Sequence, residues 1–244
     1  MKELNNIYFF WWQGIDNAPD IVKICYKSLL EKYDPKLQKI NIIDSKNFKE
    51  YVDVPEYILQ KFQKGIISIT HLSDLIRFML LYKNGGLWVD ATMLFTQQID
   101  NQIFEKKFFC LKNPNALKGD ITSKWECFYI GGKKHYELFK ILSEFWLDYW
   151  KKENQLITYL LTEHIFYIAY NENKEIRKDF ENLDEFYYKI DYFQRKLNLE
   201  FNYNTYMNIC KNEKAIKLTY KKKLIEYCGQ KLTYFGWLKE KYNV

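Results

Sequence analysis

Asp74, Arg77 and Asp90 are the residues of this sequence whose types and spacing could do chemistry. They lie within "THLSDLIRFMLLYKNGGLWVDATMLF", Thr70 to Phe95. An acid and a guanidinium three residues apart project together from a helix. They form either a local ion pair, worth a few tenths of a kcal/mol, or a pair that meets a polar ligand. Asp90 stands where a following strand would end, so the same ligand could collect all three charges.

The elements that position them are legible in the same stretch. At about 100° per residue, Phe78, His71, Tyr82, Leu75, Met79, Leu72, Ile76 and Leu80 fill an arc of roughly 200°. The remaining sector holds Ser73, Arg77, Thr70, Leu81 and Asp74, with no lysine or glutamate to mark a solvated face. The helix is therefore mostly buried, and His71 on its apolar arc is structural. "KNGG" closes it, because Asn84, Gly85 and Gly86 can take left-handed backbone angles. The chain then reverses into "LWVD", a short buried strand that presents Asp90 at its carboxyl end. In open α/β sheets, ligands bind in the crevice beyond those ends.

The wider pattern is α/β. "NNIYFFWW" reads as a buried strand, "QGIDNAP" as a turn, and "DIVKICYKSLLEKY" as an amphipathic helix ended by Asp34-Pro35. "LQKINIID" alternates like a second strand, and "PEYILQKFQKG" reads as a short helix. "KKFFCLK" and "WECFYIGG" read as further strands. "YELFKILSEFWLDYW" and "LITYLLTEHIFYIAY" read as helices, and the remainder as helical or irregular. Strands and helices alternate in the first half, which predicts a mainly parallel sheet flanked by helices.

Composition bounds the rest. With 244 residues, 48% hydrophobic and 19% aromatic, the chain has ample material for one large core. Nine Gly and four Pro argue against linkers and long disordered tracts. The cysteines Cys25, Cys110, Cys127, Cys210 and Cys228 are odd in number, widely spaced and without a C-x-x-C pair. They suit a reducing cytoplasm and buried thiols better than a disulfide framework or a structural zinc site. The opening apolar run is too short for a signal peptide, and nothing approaches the ~20 apolar residues of a membrane span.

The net charge of +6 is concentrated near the end. Lys211–Lys241 holds nine lysines and three glutamates, which equals the whole excess. Leu224, Ile225, Leu232, Phe235, Trp237 and Leu238 are interleaved with them. Such a segment can lie on an anionic membrane surface, or be a solvated lysine face over an apolar seam. Arginine is scarce there and no nucleic-acid-binding motif appears, so no nucleic-acid partner is expected.

The ordered motif S-D-x-x-R followed by L-x-x-x-G-G-x-x-x-D is more specific than any of its parts. "SDLIRFMLLYKNGGLWVDAT" resembles the donor-site segment of glycosyltransferase family 32, and more narrowly its capsular polysaccharide synthesis branch. "IYFFWWQGIDNAP" near the start and "KLTYK", Lys217 to Lys221, near the end extend the resemblance over most of the chain. It implies one GT-A-like, Rossmann-type nucleotide-sugar-binding domain over 1–244. Residues 1–132 would be the nucleotide-sugar half, and 133–244 a helical half facing acceptor and membrane.

The resemblance also implies roles. Trp11 is similar to the aromatic that stacks on the nucleotide base, and Trp12 is the neighbouring candidate. Only one of the two can face the pocket, because strand side chains alternate; core packing is the alternative for either. Asp74 and Arg77 match the pair that holds the donor sugar and its phosphate, Arg77 offering forked donors to phosphate oxygens. With Asp90 they form the implied catalytic set. Ser73, Gly85, Gly86 and Thr92 complete the implied donor site. Asp90 matches the first acid of the family's D-x-D motif, at the ribose and the metal. Here the motif reads Asp90-Ala91-Thr92, so the second acid is missing. A Mn²⁺ or Mg²⁺ cofactor is implied by the resemblance, with Asp90 as its carboxylate: one carboxylate plus two phosphate oxygens can suffice, and Thr92 could add only a weak hydroxyl ligand.

The implied chemistry is transfer of a hexose from a nucleoside diphosphate donor, UDP by resemblance, to an acceptor hydroxyl with retention. The departing phosphate can take the proton, so no dedicated base is required. Glu163 and His164 are the acceptor-side pair, with a core role as the alternative for His164. "FYIGG" is either a loop near the acceptor or a plain turn. The implied acceptor is an oligosaccharide or lipid-linked saccharide of a bacterial surface polysaccharide, at the inner face of the cytoplasmic membrane. Two other classes fit the same motif: an inactive carbohydrate-binding protein of this fold, and an effector glycosyltransferase that modifies a protein.

Overall fold

β1 (Asn5–Phe10) is apolar on both sides because it is covered on both sides. Ile7 and Phe9 point to one face of the sheet and Tyr8 and Phe10 to the other, all at most 6% exposed. The computed structural model describes residues 4–113, 124–184 and 192–244. Part of the stretch expected to be helical or irregular, 185–191, thus lies outside the described residues.

Five strands form the main sheet. β2 (Gln38–Ile43), β1, β3 (Gly86–Asp90), β6 (Trp125–Gly132) and β5 (Phe108–Lys112) follow in that spatial order. β1 runs parallel to β2 and β3, while β6 is antiparallel to both β3 and β5. Only β6 is therefore reversed, and the sheet is mainly parallel as expected. Smaller ladders join β4 (Met93–Phe95) to β7 (Ala215–Lys217), and β8 (Tyr227–Cys228) to β9 (Lys231–Leu232).

Helices cover both faces. On the Tyr8–Phe10 side pack α2 (Phe48–Tyr51), α3 (Glu56–Gln63), α4 (Ile69–Asn84), α5 (Glu137–Lys152), α6 (Leu161–Glu172) and α7 (Lys174–Glu181). On the Ile7–Phe9 side pack α1 (Asp20–Lys32), α8 (Tyr203–Asn212) and α9 (Tyr234–Tyr242). The second half of the sequence thus supplies both faces and the strands β7 to β9. Position 132 is no packing boundary, and the half that follows it is not purely helical.

α6 begins later than its apolar pattern predicts. Tyr149 donates its hydroxyl proton to the Gln155 carbonyl (2.7 Å) and accepts from Ile157 N (3.1 Å), which folds this stretch back onto α5. Tyr159 consequently lies outside the helix. "FYIGG" forms no loop: Gly131 and Gly132 pair with Leu87 and Gly86 inside the sheet.

The apolar residues of Lys211–Lys241 mostly turn inward. Phe235 and Leu238 are buried, Leu224 is partly buried, and Trp237 stacks on Phe201 with centroids 4.4 Å apart. Several lysines are engaged as well: Lys239 pairs with Asp20 and Glu226, and Lys231 with Glu200. Tyr220, Ile225 and Tyr227 are the large apolar side chains of this segment that stay exposed. No helix among the described residues is long and apolar enough to cross a membrane.

Candidate active site

α4 starts at Ser68, whose side chain accepts from His71 N and contacts His71 Nδ1 at 2.7 Å. This contact and burial against Trp146 and Trp150 make His71 a core residue. The helix is buried along most of its length, including Asp74 and Arg77. It ends at Gly85 (φ 66°), and Gly86 (φ 101°) opens β3. A Cβ on Gly86 would lie 2.6 Å from the Asn6 carbonyl oxygen, so the tight approach to β1 requires glycine there.

Gly85 and Gly86 are therefore not donor ligands. They sit at the start of β3, beside Asn6 and Lys134, while Asp90 sits at its end. Four strand steps, about 13 Å, separate the turn from the site. The glycines set the path of the strand and stay away from the cavity.

Parity then decides which side chains meet. Trp88 shares the α4 face with Tyr8 and Phe10. Asp90, two residues on, emerges on the same face and opposite Phe10 in the parallel ladder. Arg77 reaches it from α4. Arg77 Nη1 donates to Asp74 Oδ1 (2.8 Å) and Nη2 to Asp90 Oδ1 (3.0 Å). Trp88 Nε1 also donates to Asp90 Oδ1 (2.8 Å), and the guanidinium lies 5.0 Å from the Trp88 ring centroid. The three charges identified in the sequence do converge. Asp74 and Arg77 are an ion pair, and Asp90 makes it a buried cluster.

A fourth charge was not foreseen as a site residue. Lys217 Nζ donates to Asp90 Oδ2 at 2.6 Å. It arrives through the β4–β7 ladder, where Met93 pairs with Lys217, and Leu218 N donates to the Thr92 carbonyl (2.8 Å). The available signal was the position of "KLTYK" within the resemblance; the lysine-rich surroundings concealed it.

Arg77, Asp90 and Lys217 floor a cavity of about 320 Å³ at the carboxyl end of β1 and β3, while Asp74 lies behind Arg77 and does not line it. Trp11, Trp12, Ser73, Arg77, Asp90 and Thr92 line it, together with Tyr159 and the segment Lys217–Lys221. The two tryptophans differ. Trp12 packs on Phe48 and Phe62 of the α3 side (5.3 and 5.1 Å). Trp11 takes the opposite face and meets Tyr220 edge-on at 5.1 Å. Its Nε1 is buried without a protein partner, as is Arg77 Nε. Trp11 is thus the tryptophan free to serve a ligand, and Trp12 is anchored in the core.

Electrostatics separate the acids. Burial raises Asp90 and Asp74 alike. Lys217 and Arg77 outweigh burial at Asp90, which ends below the ordinary carboxylate range, whereas Asp74 stays above it. Burial also opposes the Arg77 charge, and the negative groups around it more than offset this. Arg77 Nη1 contacts Cys127 Sγ (3.2 Å), whose thiol is pushed well up by burial and stays neutral. Behind it lie two further acids. Glu163 and Glu126 are each pushed up to about 7, mainly by burial. Glu163 Oε1 is 4.0 Å from Cys127 Sγ, so this acceptor candidate does adjoin the cluster. His164 is half-buried on α6 and does not line the cavity.

A family model for capsular polysaccharide synthesis protein matches residues 1–235. The chain belongs to that family. Two fungal relatives are similar to part of it. The glycosyltransferase afumC of Aspergillus fumigatus is 27% identical over 106 residues, which is 41% of this chain and 27% of the relative. The O-glycosyltransferase braB of Annulohypoxylon truncatum is 26% identical over 109 residues, 41% of this chain and 26% of the relative. These matches therefore span only about a quarter of each relative's length. Among solved structures, the apo form of the glycosyltransferase GlyE from Streptococcus pneumoniae TIGR4 superimposes with a TM-score of 0.52 at 10% identity. That likeness covers 100% of this chain and 61% of the other, and it shows a shared fold. The family's fold here is thus GT-A-like, as the donor motif implies.

The donor set at Asp90 does not fit a divalent ion. Such an ion takes hard oxygen ligands, and one carboxylate with two diphosphate oxygens suffices only where that carboxylate is free to bind it. Among the described residues Asp90 is the one carboxylate lining the cavity, its Oδ1 accepts from Arg77 and Trp88, and its Oδ2 accepts from Lys217. Among the described residues no group of three or more His, Cys, Asp or Glu could hold a metal.

Proposed function

We propose that this member of the family is a retaining glycosyltransferase using a nucleoside diphosphate sugar, with UDP as the nucleotide. The observation that carries this reading is Arg77, held by Asp74 from behind, beside Asp90 on the floor of a cavity whose wall includes Trp11. The base stacks on Trp11 or Tyr220, the ribose hydroxyls donate to Asp90, and Arg77 meets the diphosphate. Arg77 is preorganised by two acids and the Trp88 ring, so it needs no reorganisation as negative charge grows on the leaving group. Ser73 faces the sugar, Asp74 orients Arg77 from behind, and Glu163 lies on the acceptor side.

The acceptor in this reading is a growing bacterial surface polysaccharide, lipid-linked at the inner face of the cytoplasmic membrane. Ile225 and Tyr227 beside the basic Lys221–Lys223 run would contact that surface. Equal partition onto neutral and anionic vesicles would remove the membrane part of the proposal.

The deciding experiment is hydrolysis and binding across a panel of nucleotide sugars, for wild type and Asp90→Asn. One donor is expected to turn over, with loss in the variant. Failure of every donor to bind would overturn the site. Binding without turnover under any condition would leave a carbohydrate-binding protein instead.

A further inference from the structure

We infer that Lys217, rather than a divalent cation, is the positive charge that receives the donor's diphosphate. The inference rests on the nucleotide-sugar reading above. Its starting point is the mismatch between the D-x-D-like position and a metal. The second acid is replaced by Thr92, which is 6% exposed, and the remaining acid already holds an ammonium group. A divalent ion would have to displace Lys217 from Asp90 and still sit close to two cations, Lys217 and Arg77. Both repel it.

The same segment is built to replace the ion. The β4–β7 ladder fixes its start, and Lys217 Nζ also lies over the Phe128 ring at 5.0 Å. Lys221 lines the cavity as well, its Nζ 5.9 Å from the Tyr159 ring centroid. Tyr220, between them, packs against Trp11. One short stretch therefore presents an aromatic to the base and two ammonium groups to the phosphates.

Asp90 holds Lys217 while no donor is bound. When a diphosphate enters, Lys217 Nζ passes from Asp90 Oδ2 to a phosphate oxygen, and Oδ2 becomes an acceptor for a ribose hydroxyl. In the transfer step the anomeric C–O bond breaks and its electron pair stays on the β-phosphate oxygen. The acceptor oxygen forms the new bond to the anomeric carbon, and its proton passes to the departing phosphate. Lys217 and Arg77 offset the charge gained by that phosphate.

The test is titration calorimetry of UDP and GDP into metal-stripped protein, with EDTA or with Mn²⁺ present. A nucleoside diphosphate is expected to bind in EDTA, with affinity changed less than about threefold by Mn²⁺. Loss of a charge-assisted phosphate contact in Lys217→Ala should weaken binding about tenfold or more, and Lys217→Arg should restore most of it. Binding that appears only with Mn²⁺ would overturn the inference and leave the donor site standing. Unchanged affinity in Lys217→Ala would overturn the role of Lys217. Absence of binding in both conditions would overturn the donor site itself, and the inference with it. The wild-type comparison needs no variant to fold.

Discussion

Replacing Arg77 with methionine tests whether the buried cluster is held by this one side chain. Methionine keeps much of the volume and removes the charge. Removing one partner of a buried ion pair costs about 3–5 kcal/mol, because the other charge is left uncompensated. Two partners are affected here, unequally. Asp90 keeps Lys217 and Trp88, and its side chain is 23% exposed, so water recovers part of its loss. Asp74 is 12% exposed and has Arg77 as its ion-pair partner. The expected loss is therefore about 2–4 kcal/mol at pH 7, after discounting Asp90. For a chain of this size that is a fall in Tm on the order of 10 °C. Thermal and urea unfolding at pH 7 measure it. The loss should shrink toward pH 5, because burial already raises the Asp74 pKa, and losing Arg77 raises it further, so the orphaned acid protonates. Asp74→Asn in the Arg77→Met background should recover most of the stability without restoring nucleotide binding. A loss under about 0.5 kcal/mol, or no recovery in the double variant, would refute the uncompensated-charge account.

Glu126 and Glu163 predict a pH dependence of opposite sense to a paired carboxylate. Their folded pKa values of about 7 exceed the unfolded ~4.3, so the folded state holds more protons between these values and stability falls as pH rises through that window. Glu126→Gln with Glu163→Gln should gain roughly 1–2 kcal/mol over wild type between pH 5 and pH 8, allowing for residual solvation; a constant difference in Tm across that range would contradict it. Gly86→Ala should cost more than about 1 kcal/mol through strain at φ 101° and the Asn6 contact, while nucleotide affinity in the folded fraction is retained; a variant as stable as wild type would show that the turn relaxes. Trp12→Ala should lower stability by roughly 3–5 kcal/mol through lost packing on Phe48 and Phe62, and Trp11→Ala should chiefly weaken UDP binding in calorimetry. The reverse pattern would exchange their assignments.

Local periodicity in the sequence determined α4, its buried arc, the reversal at Asn84-Gly85-Gly86 and the emergence of Asp90 at the end of β3. Each depends on residues within a few turns of one another, so the pattern carries the geometry. The paired Asp74 and Arg77 were legible for the same reason, as was the missing second acid after Asp90. Tertiary structure decided the remainder. Strand alternation says that Trp11 and Trp12 point oppositely, but which of them faces the cavity depends on what covers each side of the sheet. The glycine pair has site-like composition, yet it lies at the far end of β3, because a parallel strand carries its turn away from its carboxyl end. Lys217 is 127 residues from Asp90 and sits on a three-residue strand too short to announce itself. Its charge is one of many in a lysine-rich segment. Only the β4–β7 pairing selects it, and that pairing is a long-range contact that no local pattern encodes.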